Sequence, residues 1–222
     1  MGQYYVIANI DKREYLDPGK LRSGKKLTEF SVSSSYVTTA LMNLLAGAWH
    51  GDHVYVIGDY AKTDRPDENC YKALCRIQKQ LGTEQLYKYI LDNFKMPESI
   101  SLGYRAWRYV YNSMTLQYID LEHCPLEWVY NNKRSSWTSI VRMAPVPLLL
   151  AVGNERGGGD FRSNGVEHVG AWCSSTTGIS VRETMIDDDT YTEFRPDFTE
   201  NDPIIPWDQI AKEVEEEKRR RA

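Results

Sequence analysis

With 222 residues, 41% hydrophobic and 26% charged, the chain is long enough to bury a sizeable core and has none of the bias of a disordered or low-complexity protein. Its net charge of −4 provides no overall basic field for nucleic acid or an anionic membrane, and no apolar run approaches the ~20 residues that cross a bilayer. The four cysteines, Cys70, Cys75, Cys124 and Cys173, are too sparse for a disulfide scaffold, and the opening MGQYYVIANID lacks the order of a secretory signal, so a cytoplasmic or nuclear protein with buried free thiols is expected.

Gln3 to Ile10 alternates polar and apolar residues with a β-branched and aromatic bias, which predicts a half-buried strand. Glu14 to Leu16, after the polar turn at Asp11 to Arg13, predicts its hairpin partner, and Leu27 to Val32 reads as another short strand. From Ser33 the apolar period lengthens to nearly four, placing Val37, Leu41, Leu44 and Leu45 on one helical face, with serines to cap it and Gly47 to stop it. That helix leads into AWHGDHVYVIGDY, a turn bearing His50, Gly51, Asp52 and His53 and then an apolar strand from Val54 to Ile57. Two amphipathic helices follow, one opening at Pro66 and ending at Gly82, the other capped by Thr83 and running through Phe94. In the second β-rich region, from about Tyr104, Trp137 to Met143 alternates as a strand and Leu148 to Val152 is an apolar run of buried-strand length. Val166 to Cys173 is expected to pair with Ile179 to Val181. Trp207, Ile210, Ala211 and Val214 define one face of a closing helix whose basic end suits the helix dipole.

Several strings recur. Asn9, Tyr15 and Asp17 are spaced like Asn112, Tyr118 and Asp120, with Leu16 matching Ile119. Gly47, Ala48 and Trp49 return as Gly170, Ala171 and Trp172, and Gly58, Asp59, Tyr60 resembles Gly159, Asp160, Phe161. Either the two regions share a structural motif or hairpin chemistry has produced similar strings twice. The expected architecture is α+β: a single domain over 1–202, with β-rich halves at 1–62 and 104–182 and a helical insert at 66–95. A C-terminal amphipathic helix with a basic end occupies 203–222.

Three places could carry chemistry. Gly157, Gly158 and Gly159 allow a loop whose amides turn toward an anion, with Arg156 adding charge and Asp160 able to hold a cation or a ribose hydroxyl. No Walker or dinucleotide pattern is present, and a tight hairpin accounts for three glycines equally well. His50, Asp52, His53 and Asp59 form the densest set of potential metal ligands, and His50, Asp52 and His168 would make three if the halves meet, although no established zinc spacing is met. Asp59 and Asp160, at strand ends, are the candidate general bases.

The MGQYY opening, the W-x-G-D-x-V-x-V-x-G-D-Y string from Trp49 to Tyr60 and the GNERGGGD-to-GAW segment resemble a family of hypothetical proteins that share these signatures. The resemblance reaches from Gly2 to Val181; it implies a shared fold and supplies no reaction and no cofactor. The functional expectation is therefore a binder of a small, phosphate-bearing or nucleotide-like metabolite, in a groove between the halves near Trp49, Asp52, Asp59, Arg156, Asp160 and Trp172. The alternatives are a hydrolase or transferase using Asp59 or Asp160, metal-assisted or not, and a protein-interaction module.

Overall fold

Two hairpins and the strands that dock beside them build the molecule, a computed structural model that describes residues 3–61, 68–103, 105–131, 136–153, 165–186 and 188–198, with Gln209, Lys212, Glu216, Arg219 and Arg220 in helical conformation beyond them. In the first half β1 (Tyr5–Asn9) and β2 (Glu14–Leu16) form the predicted hairpin, with Ile7 opposite Leu16 and Asn9 opposite Glu14. Then come α1 (Leu27–Phe30), α2 (Tyr36–Leu45) and β3 (Val54–Gly58), which lies antiparallel along the other edge of β1. The helical pair is α3 (Glu68–Leu81) and α4 (Leu86–Asn93). The second half contains the hairpin β4 (Tyr109–Asn112) and β5 (Gln117–Asp120), a separate hairpin β6 (Leu126–Asn131) and β7 (Ser136–Arg142), α5 (Pro145–Leu149), β8 (Ala151–Val152), β9 (Ile179–Arg182) and β10 (Thr192–Glu193).

Two four-stranded mixed sheets result, in the orders β2-β1-β3-β8 and β10-β5-β4-β9. The alternation of side chains along a strand decides which core each residue joins. Ile7, Leu16, Val54 and Val56 point inward to a core shared with Val110, Ile119, Ile179 and Val181 of the second sheet and with the apolar faces of α2 and α5. Val6, Ala8, Tyr15, Tyr55 and Ile57 point the other way, against Leu74 and Ile77 of α3 and Leu86 and Ile90 of α4. The first sheet is thus covered on both faces, and β1 is wholly buried rather than half-buried. The far face of the second sheet carries Tyr109, Tyr111 and Tyr118, with Tyr111 and Tyr118 stacked at 5.6 Å and Tyr191 set edge-on to Tyr111 at 5.1 Å.

Three segments depart from their expected form. Leu27 to Phe30 is a turn of helix, because Leu27 and Phe30 are buried together at a spacing of three and the Glu29 carboxylate accepts the Lys26 amide at 3.0 Å. Val32 alone makes a strand-like bridge, to Met143. The apolar run at Leu148 to Val152 is divided, Leu148 and Leu149 ending α5 and Ala151 and Val152 forming the buried strand β8: prolines suit a helical first turn, and a run buried on every side carries no period to read. Val166 to Cys173 is a series of turns, since Gly165 and Gly170 have φ of 73° and 78°, which a strand does not allow, and β9 pairs with β4 instead.

Two of the three recurring strings occupy equivalent places, while Gly159, Asp160 and Phe161 of the third lie outside the described residues. Tyr15 faces Ala8 and Tyr118 faces Tyr111; Asn9 faces both Glu14 and Val54, while Asn112 faces both Gln117 and Ile179. Trp49 and Trp172 are each 0% exposed. The Trp49 indole donates to Glu14 Oε2 at 2.8 Å, and the Trp172 indole donates to Gln117 Oε1 at 2.8 Å. Asn9 Nδ2 donates to Asp52 at 2.7 Å where Asn112 Nδ2 donates to Ser175 Oγ at 3.0 Å. Both asparagine carbonyls accept amides of their own turns, from Lys12 and from Met114, at 3.0 Å. One three-stranded unit is therefore built twice. The units meet where the chain enters α2 and α5: Ser33 N donates to Arg142 O and Ala144 N to Ser31 O, both at 2.9 Å, a locally two-fold seam.

Candidate functional site

The residues singled out in the sequence have definite structural partners. Trp49 and Trp172 sit inside the core as braces for the two hairpins, and Asp52 joins Asn9 to Lys12, whose ammonium lies 2.6 Å from Asp52 Oδ2. Asp59 ties strand ends together, its Oδ1 accepting the Tyr4 amide at 3.1 Å while its own amide donates to Tyr4 O at 2.9 Å. Burial first, and then the Asp59 charge, push the Tyr87 phenol up to about 12.

His53 is held by Asp11, with Nδ1 at 3.0 Å from Oδ2 and the His53 amide donating to the same oxygen at 2.6 Å. Burial of Asp11 opposes ionisation, but these bonds outweigh it and bring its carboxyl below the ordinary range. His50 is exposed, and His168 packs edge-on to Phe194 at 5.2 Å beside Glu167. Among the described residues, no three His, Cys, Asp or Glu side chains converge on a metal position. Arg156, Gly157, Gly158, Gly159 and Asp160 lie outside the described residues. The strand that leads toward them, β8, runs parallel to β3 with Val152 beside Ile57, so the chain leaves β8 at the same sheet end as Gly58 and Asp59.

A cavity of about 540 Å³ opens at the seam between the two units. One wall is the start of α2, with Ser33, Ser34, Tyr36, Thr38, Thr39 and Met42; the opposite wall is Met143 to Val146 at the start of α5. Leu102, with Arg105 to Arg108 further along the same segment, closes a third side. Asn43 of α2 anchors that segment at three points: its Nδ2 donates to Ser101 O at 2.9 Å and Gly103 O at 3.1 Å, and its Oδ1 accepts the Trp107 indole N–H at 2.7 Å. The helix itself is fixed by Ser35, whose Oγ accepts the Thr38 amide at 3.0 Å and donates to Phe30 O at 2.6 Å.

The lining is apolar in its depth, at Met42, Leu121, Met143 and Val146, and cationic around it, with Arg105, Arg108 and Arg142 against Glu122 as the one carboxylate among the described lining residues. Arg108 is neutralised from behind by a forked pair with the buried Asp120, at 2.9 and 3.2 Å, and by Glu122 at 2.8 Å. Its pKa is raised mainly by the hydrogen bonds to Asp120. Arg142 uses Nη1 on the backbone oxygens of Glu122 and Cys124, and Arg105 lies over the Trp107 ring at 5.6 Å. Among the described residues neither of these two arginines meets a carboxylate, so positive charge is left over at the cavity. The Arg105-Ala106-Trp107-Arg108 string, two cations around an indole in an acidic chain, was the available sequence signal for this site.

The class that fold and site define is an α+β protein of duplicated three-stranded units with an arginine-bearing cleft at their junction. No family model, curated protein or solved structure matches the chain.

Proposed function

We propose that the protein binds a small anionic metabolite, phosphate-bearing or nucleotide-like, in the cleft between the two units. The observation that carries this reading is the cavity of about 540 Å³ at their seam, apolar within and lined by Arg105 and Arg142 in excess of nearby carboxylates. Its size is that of small-molecule sites, which combine an apolar body with a few polar groups that orient the ligand. Guanidinium groups pair with phosphate and carboxylate oxygens through forked hydrogen bonds. Tyr36 and Trp107 offer ring faces to a base or another planar group, and the exposed Ser33 and Ser34 stand beside them at the start of α2.

Thermal shift against a panel of mononucleotides, sugar phosphates and uncharged nucleosides tests the proposal. A ligand at 100 times its dissociation constant adds about 2.7 kcal/mol, which raises Tm by about 5–10 °C for a chain of this size. Arg105→Ala, at an exposed position, should weaken binding about tenfold without changing the Tm of the free protein. A flat panel, or shifts that Arg105→Ala and Arg142→Ala both leave intact, would remove this function from the cleft.

A further inference from the structure

Cys70 and Cys173 are far apart in sequence and come together in the fold, with their sulfur atoms 3.8 Å apart. Cys70 lies in the first turns of α3, 5% exposed, its Sγ 3.9 Å from Ala151 O on β8. Cys173 follows the brace residue Trp172 and is 0% exposed. Arg76, further along α3, donates to Ser174 O at 3.4 Å and so brings a cation beside the same turn. The other two cysteines are placed differently. Cys124 is buried in the core shared by the two units, where burial pushes its thiol strongly up, and Cys75 is partly exposed on α3.

We propose that Cys70 and Cys173 are a redox modification site, closed to a disulfide by hydrogen peroxide. The sulfurs are already in contact, and a bond at about 2.05 Å requires a side-chain movement of less than about 2 Å rather than a rearrangement of the fold. Cys70, the less buried, loses its proton and attacks the peroxide oxygen, breaking the O–O bond; the sulfur becomes a sulfenic acid and the departing oxygen leaves as water after protonation. The Cys173 thiolate then attacks that sulfur and expels its hydroxyl as a second water. Two thiols lose two protons and two electrons, and one peroxide becomes two waters. The new bond would fasten α3 to the second unit directly above β8, so that the helical cover of the first sheet could no longer lift away.

The experiment is peptide mapping of the full-length protein after hydrogen peroxide treatment, with free thiols alkylated under denaturing conditions. The expected product is an intramolecular Cys70–Cys173 linkage, two hydrogens lighter than the reduced protein, reversed by dithiothreitol and accompanied by a higher Tm. Cys70→Ala and Cys173→Ala should each abolish the linkage and the Tm gain while Cys75 stays alkylated. Recovery of both Cys70 and Cys173 in alkylated form after oxidation, or their linkage to Cys75, Cys124 or a second chain, would overturn the proposal. The wild-type map decides the matter even if a variant fails to fold. Ligand binding in the cleft is a separate property, and its absence would leave this result unaffected.

Discussion

Trp49 and Trp172 make the same bond to different partners, a carboxylate at Glu14 and a carboxamide at Gln117. An indole N–H needs only an acceptor oxygen at that distance, and both side chains supply one. Glu14→Gln, which converts the first brace into the second, should therefore change stability by less than about 1 kcal/mol, because the hydrogen bond survives and only its charge assistance is lost. Glu14→Leu leaves a buried indole N–H without its acceptor and should cost about 1–3 kcal/mol. Urea denaturation of the two variants separates these outcomes; equal losses would mean that the Glu14 charge, rather than its acceptor oxygen, matters. These braces were legible in the sequence because the residues that make them recur: Asn9 with Asn112, Tyr15 with Tyr118, Trp49 with Trp172. Their role was less legible than their presence. A tryptophan read as a groove wall is a core side chain here, since the string says that it recurs and not which way it faces.

At the scale of elements, β10 is a slight attachment, two residues long and parallel to β5. Side chains hold it where backbone pairing is short. His123 Nδ1 lies 2.8 Å from Glu193 Oε1, Arg195 lies 2.6 Å from Oε2, and Tyr111 Oη accepts the Ile186 amide at 2.7 Å as the chain approaches. Burial alone would raise the Glu193 pKa, but the hydrogen bonds and charges of Arg195 and His123 outweigh it, so the folded value lies below the ordinary one. A depressed carboxylate contributes stability that is fully present above its unfolded pKa of about 4.3 and is lost as pH falls through the lower folded value. The Tm advantage of the wild type over Glu193→Gln should be present at about pH 5 and should close on further acidification. A gap that persists at low pH would assign the anchoring to packing by the tyrosines. Elements whose signal is a period, such as β1, α2 and α3, were readable from the chain. α1 and α5 were not, because one is a single turn and the other is apolar on all sides.

At the scale of the whole molecule, the cleft joins residues that no window of sequence brings together: Thr39 from the first unit, Trp107 from the segment after α4, and Arg142 from the end of β7. The sequence reading expected a groove between two halves, but its walls depend on how the units meet, through a shared core and the bridge of Val32 to Met143. The two units are not merely apposed. β8 belongs by sequence to the second half and by hydrogen bonding to the first sheet, where Val56 faces Ala151 and Ile57 faces Val152. Fragments cut between α4 and β4 should accordingly be unfolded alone, the first with an uncovered sheet edge at β3 and the second with an orphaned strand. Mixed together, they should recover the circular dichroism and cooperative melting of the intact chain. The molecule then behaves as an interleaved pair, whose complementation in trans would report on the integrity of the junction where the cleft lies.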